Sequence, residues 1–258
     1  MKKLGFALGA GGSRGVAHIG FLKGLEEEGI KPDMIAGCSM GSIVGAAYAS
    51  GMSLEGMHAA VSDLRLIDIL TPAGLRGGLF GTKKIRKLLE EYIGDIDFSD
   101  LHIPFHCVAV DMVTRTLVEF SEGSVLDAIV SSSCIPGVFS PVEKDGMRLI
   151  DGYVYERVPA EQVKKMGADV VVAVDVLGDR PLGADSPVTL QMALEVIDIL
   201  ECDRFHRRKK ETAHLVDIWL EPDLGDMNQF ELKQIEFAYE QGYALAKMNA
   251  KAIKKALE

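Results

Sequence analysis

Several protein classes are excluded by what this 258-residue chain lacks. Its four cysteines, Cys38, Cys107, Cys134 and Cys202, lie far apart, with none of the paired spacings that bind zinc or staple small secreted domains. Neither a metal site nor a disulfide framework is expected, and a reducing, cytoplasmic setting fits. No apolar run approaches the roughly 20 residues needed to span a bilayer. The opening Met1-Lys2-Lys3-Leu4-Gly5-Phe6-Ala7-Leu8 resembles a leader only briefly, because it runs into Gly11-Gly12-Ser13-Arg14-Gly15 instead of a cleavage site. Positive charge is in deficit, 28 Lys+Arg against 38 Asp+Glu, and a net charge of −10 argues against a nucleic-acid partner. Linkers, low-complexity runs and internal repeats are missing too, so one α/β domain over residues 1–258 is expected.

What is present is organised around Gly37-Cys38-Ser39-Met40-Gly41. Asp33-Met34-Ile35-Ala36 before it reads as a short buried strand. Ser42-Ile43-Val44-Gly45-Ala46-Ala47-Tyr48-Ala49 after it suits a buried helix. Strand, Gly-x-Ser-x-Gly turn and helix form the context in which a serine is held on a strained elbow with its hydroxyl exposed. Gly37 and Gly41 let the two backbones approach closely. The helix N-terminus favours negative charge beside Ser39.

Upstream, a strand over Leu4–Leu8 empties into a loop holding Gly9, Gly11, Gly12, Arg14 and Gly15, then into a helix closed by Gly29. Strand, loop, helix, strand is a βαβ unit and implies a parallel sheet. A dinucleotide-binding oxidoreductase would need an acid at the end of the second strand, which here ends in Gly37-Cys38-Ser39. In a parallel unit the glycine loop and the serine turn share one sheet edge. The Gly11 and Gly12 amides would then face Ser39, as donors to a developing oxyanion.

Further along, helices are expected over 52–70, with Ser53 as cap, and from residue 83, with Thr82 as cap. The Gly-rich apolar segment 75–80 before that basic helix suits a lid, a contact with an anionic lipid surface, or a plain surface loop. Residues 104–110 and 115–120 read as a hairpin, Ser124 caps a helix over 125–132, and a proline-bounded loop comes next. A strand over 147–150 ends in Asp151-Gly152-Tyr153, a carboxylate at a strand terminus in a tight turn. The strand over 168–174 ends at Asp175. A helix over 188–212 carries Arg204, Arg207, Arg208, Lys209 and Lys210, and a strand over 215–220 and a helix over 230–257 close the chain. The alternation gives an α/β fold, a three-layer sandwich with a central, mostly parallel sheet.

A serine needs a base. A Ser–Asp–His order would use Asp175 and His214, but Ser39 comes too early in the chain for that fold. His214 also opens its strand, which puts it at the wrong edge of a parallel sheet. His18, His102 and His106 read as packing or surface residues. A Ser39–Asp151 pair is the more coherent scheme.

Four segments together resemble the patatin-like phospholipases, bacterial proteins related to plant patatin and neuropathy target esterase. They are the loop Gly11-Gly12-Ser13-Arg14-Gly15, the elbow at Ser39, the proline block Cys134-Ile135-Pro136-Gly137-Val138-Phe139-Ser140-Pro141, and Asp151-Gly152. The resemblance covers residues 4–175. It implies a serine acyl-ester hydrolase acting on lipid, with a Ser39–Asp151 dyad, oxyanion donors at Gly11 and Gly12, and Arg14 supporting the loop. It also implies no metal, no cofactor and no histidine base. Two positions depart from the pattern: Ala10 replaces a usual glycine, and Tyr153 replaces a small residue and is expected to crowd the acyl pocket. An acyltransferase, passing the acyl group to an alcohol or thiol, is the alternative enzyme.

Overall fold

The computed structural model describes residues 2–65, 78–178 and 188–258, and among them eight strands form one sheet. Five run parallel in the order β8 (Ile218–Leu220), β7 (Val170–Val174), β1 (Leu4–Leu8), β2 (Met34–Cys38) and β3 (Phe105–Asp111). The other three, β4 (Thr116–Phe120), β5 (Val142–Lys144) and β6 (Met147–Asp151), are antiparallel. The sheet is therefore mixed but mostly parallel, as expected.

The parallel strands are apolar on both faces and must be covered twice. Leu4, Phe6 and Leu8 of β1 point into one core, with Val170, Val172 and Val174 of β7. Ala7 of β1 and Val171 and Ala173 of β7 point into the other. The first core is closed by α1 (Val16–Glu27), α2 (Met40–Ala49), α3 (Leu54–Ser62), α4 (Lys83–Ile93), α5 (Val125–Ser132) and α8 (Ile235–Leu257). The second is closed by α6 (Ala160–Lys165) and by Phe205 of α7 (Val188–Thr212). Small residues at Ala7, Ala36 and Ala173 let this second layer sit close to the sheet.

Helix ends mostly obey the residue chemistry. Ser53 accepts from the Gly56 amide and Ser124 from the Asp127 amide, each capping its helix. Thr82 does not cap: its backbone is already helical (φ −86°, ψ −4°) and its side chain takes no amide. The last helix starts at Ile235 instead of residue 230, because the preceding stretch is used elsewhere. There the Asn228 side chain accepts from the Phe230 amide, and the Gln229 carbonyl accepts from Ser13 at 2.8 Å. The helix expected over 52–70 ends at Ser62, and residues 66–77 lie outside the described residues, so most of the apolar loop does too. Its end is described: the Phe80 amide donates to the Val138 carbonyl, joining it to the proline block. Among the described residues, no helix is long and apolar enough to cross a membrane.

Strand β3 brings distant segments of the chain to one point. β2 pairs with residues 105–108 of β3, β4 with 107–111, and β6 with 109–111. Because the β4 register overlaps both others, β4 holds one edge of β3, and β2 and β6 share the opposite edge. β2 ends at Cys38 opposite Val108; β6 arrives from the other direction and ends at Asp151 opposite Ala109. The two strand ends meet.

Candidate functional site

Ser39 is the first residue beyond β2, and its backbone (φ 52°, ψ −123°) lies in a region that side chains rarely occupy. Such a conformation costs about 1–3 kcal/mol and persists only where the surroundings enforce it. Here they do. The Ser39 amide donates to Ser132 Oγ at 2.9 Å, and its carbonyl accepts from the Ser42 amide and hydroxyl at 2.8 and 2.6 Å. Gly37 pairs with Leu8 and Cys107, and a Cβ there would stand 2.4 Å from the Gly41 carbonyl oxygen. Gly41 lets α2 rest on the end of β1, since a Cβ there would stand 2.2 Å from the Leu8 carbonyl oxygen.

Asp151 completes the meeting of the strands. Its Oδ2 accepts from Ser39 Oγ at 2.6 Å; its Oδ1 accepts from the Tyr153 amide at 3.0 Å and from Cys38 Sγ at 3.8 Å. The Asp151 amide donates to the Cys134 carbonyl, so the proline block is tied to the same point. The side chain is fully buried, and burial pushes its pKa up to about 7, against the pull of the hydrogen bonds from Ser39, Tyr153 and Cys38. The Cys38 thiol is itself driven upward, by burial first and by the Asp151 charge second, so it stays a neutral donor. Gly152 then opens a short 3-10 turn, Gly152–Val154.

The glycine loop lies beside this pair. Gly12 sits at φ +54°, a left-handed conformation that suits glycine, and a Cβ there would meet the Gln229 carbonyl oxygen at 2.3 Å. Among the described residues, the Gly11 and Gly12 amides have no acceptor. Arg14 is buried beneath the loop and donates to the Val176 and Met227 carbonyls at 2.6 and 2.8 Å. Three further supports have no signature in the sequence. His18 is a buried packing residue, as expected, but its Nε2 also donates to the Gly9 carbonyl at 2.8 Å, and burial lowers its pKa to about 4, so it is neutral. The Ala10 amide donates to the Arg157 carbonyl at 3.0 Å. Arg157 in turn is gripped by Asp175 through two hydrogen bonds, 3.0 and 2.6 Å, with Glu201 beside it at 3.4 Å. No motif points to these residues; the buried run of α1 after the glycines is the one available hint for His18.

The residues of the alternative triad are not brought together. Asp175 is committed to Arg157. His214 lies ahead of β8, at the N-terminal edge of the parallel strands, with its ring on the Glu211 carbonyl. Tyr153 packs on the small cluster of Ala10, Cys38 and Val108, between the glycine loop and the strand that carries Ser39. The basic face of α7 is largely engaged: Arg208 pairs with Glu156 and Glu161, Lys209 with Glu221, and Arg207 with Asp203.

With this geometry in view, comparison with known proteins gives consistent results. The family model described as patatin-like phospholipase matches residues 6–164. An uncharacterized NTE family protein of Mycobacterium tuberculosis is 35% identical over 180 residues, covering 69% of this chain and 50% of that one. A lysophospholipase of Aspergillus fumigatus is 25% identical over 292 residues, covering 98% of this chain and 18% of that one. The chain thus spans about half the length of the mycobacterial relative. Among solved structures, VipD from Legionella pneumophila superposes with a TM-score of 0.66 at 12% identity, over 97% of this chain and 67% of that one, a likeness of fold.

Proposed function

The chain belongs to the patatin-like phospholipase family, and from that premise we propose that it is a serine lipid acyl hydrolase. The observation that carries this reading is the 2.6 Å hydrogen bond from a strained serine hydroxyl to a buried carboxylate whose pKa is raised to about 7. A base works best when its pKa lies near the working pH. Family relatives include a protein named lysophospholipase, which supports a lipid ester as the substrate class.

Ser39 Oγ bonds to the acyl carbon while its proton passes to Asp151 Oδ2, and the carbonyl electron pair moves onto oxygen. The Gly11 and Gly12 amides receive that oxyanion, and Arg14, His18 and Gln229 hold the loop that presents them. Collapse breaks the ester C–O bond, Asp151 returns its proton to the departing alcohol, and Ser39 is left acylated. Water then gives a proton to Asp151 as it adds to the acyl carbon. The second collapse releases the carboxylic acid and Ser39 recovers its proton. No histidine takes part.

A fluorophosphonate probe should label Ser39 in the parent protein and not in Ser39→Ala, read by peptide mass spectrometry. Labelling elsewhere, or none of folded protein, ends the assignment. Access to lipid is proposed through α4, whose Lys83, Lys84 and Lys87 are exposed, with exposed Leu79 shortly before them. Co-sedimentation with anionic liposomes should weaken as salt rises, since such contacts are screened; no binding at low salt removes this part.

A further inference from the structure

Cys38, the residue before the nucleophile, ends β2 opposite Val108 of β3, and Asp151 ends β6 opposite the next residue, Ala109. Thiol and carboxyl therefore stand side by side, with Sγ 3.8 Å from Oδ1. The thiol is fully buried, packed with Ala10 and Val108. Among the described residues, Asp151 is its one hydrogen-bond acceptor. A hydroxyl bonds at ~2.7 Å and would fall short across this gap; sulfur, larger and on a longer bond, spans it as a weak donor.

The two carboxylate oxygens are thereby used differently. Oδ1 is held from two sides, by the Tyr153 amide at 3.0 Å and by the Cys38 thiol, and Oδ2 is left to the Ser39 hydroxyl at 2.6 Å. Without the thiol, Oδ1 keeps a single tether about which the carboxyl can turn. The donor also acts on charge. A hydrogen bond to a buried carboxylate favours its ionised form, so the thiol offsets part of the burial that brings Asp151 to about 7. The other titratable groups around the pair do not take this place. Cys134, just beyond α5, donates its thiol to the Val130 carbonyl and is pushed up to about 12, by burial first and Asp151 second. Burial pushes the Cys107 thiol of β3 and the Tyr153 hydroxyl up as well, so both stay neutral. Beyond burial and Asp151, the charges of Glu156 and Glu201 also raise Cys38, and those of Glu201 and Asp198 raise Tyr153.

We propose that Cys38 is a positioning residue for the reaction: its thiol, through Asp151 Oδ1, fixes which carboxylate oxygen receives the Ser39 proton and the pH at which it can. The role rests on the acyl-hydrolase reading and deepens it at the position between Gly37 and Ser39. A weak donor suits a base that must take up a proton and return it, because it steadies the ionised form without locking it.

The test follows kcat/KM for p-nitrophenyl butyrate from pH 5 to 9 in the full chain. Cys38→Ala removes the donor and should move the acid limb up by about half a pH unit or more, the effect of losing one neutral donor on a carboxylate. Val108→Ala takes bulk from the same cluster but leaves every donor on Asp151, so its limb should stay at the parent position. A second measurement needs no turnover. The S–H stretch in the Raman spectrum lies clear of other protein bands, and one of the four thiols should shift in frequency between pH 5 and 8 as Asp151 ionises. That shift should be absent from Asp151→Asn, and the band itself from Cys38→Ala. A Cys38→Ala limb that stays at the parent position, an equal displacement in Val108→Ala, or a parent spectrum with no pH-dependent thiol band overturns the role of Cys38 and leaves hydrolysis standing. A parent protein that cleaves no ester and resists the fluorophosphonate probe overturns both readings.

Discussion

Asp151 and Asp175 invite comparison. Each stands at the end of a strand, β6 or β7, each is buried, and each accepts a backbone amide from two residues onward. Asp175 is met by the Arg157 guanidinium on both oxygens; Asp151 is met by a hydroxyl, an amide and a thiol. A buried carboxylate given a cation becomes a fixed anion that ties elements together. Given only neutral donors, it is held near the point of protonation and can take a proton and return it. Sequence position is the same kind in both; the partner decides the role. The two are also linked in series, because Arg157, held by Asp175, offers its carbonyl to Ala10 of the loop beside Ser39.

Exchanging each acid for its amide should separate these roles most sharply. Asp151→Asn should lower kcat by about 10³-fold, within the usual range for loss of a general base, with no loss of thermal stability. Asp175→Asn removes the carboxylate gripping a buried guanidinium and should cost about 3–5 kcal/mol of stability. Its folded fraction should keep turnover within tenfold of the parent. Urea unfolding and steady-state kinetics on both variants decide the matter, and a reversed pattern would dissolve the distinction.

A smaller effect concerns pH. Asp151 must be ionised to accept the Ser39 proton, so kcat/KM should rise through one ionisation near pH 7, falling about tenfold per unit on the acid side. His206→Ala and His214→Ala should not move that ionisation; a shift in either would bring an imidazole back into the scheme.

Stability should report the same ionisation. The folded pKa of Asp151, about 7, lies above the unfolded value near 4. The stabilisation linked to its proton is therefore complete below pH ~4 and is lost as pH rises through 7. Asp151→Asn cannot ionise and escapes this loss. Its stability relative to the parent should grow between pH 5 and 8, approaching ~4 kcal/mol from three pKa units at ~1.4 kcal/mol each. A difference that stays flat with pH would mean the carboxyl is not held near neutrality.

Much of this was legible in the residues because it depends on local chemistry. Gly37 and Gly41 flank a serine because strand and helix touch there, and that constraint is written in five consecutive positions. The unbroken apolar runs of β1 and β7 mark strands covered on both faces. Asp151 announced itself weakly, as an acid at a strand terminus, and gained weight from the family resemblance. The remaining supports were hidden for a physical reason. Ser132, Arg157, Glu201 and Gln229 act on partners tens to hundreds of positions away, and several act through backbone carbonyls that any residue could provide. Thr82 shows the opposite failure: its side chain is suited to capping, but a helical backbone at that point turns it away.

The shared edge of β3 makes that strand a ruler for the site. Ser39 is measured off it from one end and Asp151 from the other, through ladder bonds at Val108 and Ala109. A slip of one residue in β6 would displace Asp151 by ~3.3 Å and send its side chain to the opposite face of the sheet. No slightly misaligned version of the pair is available, only alignment or loss.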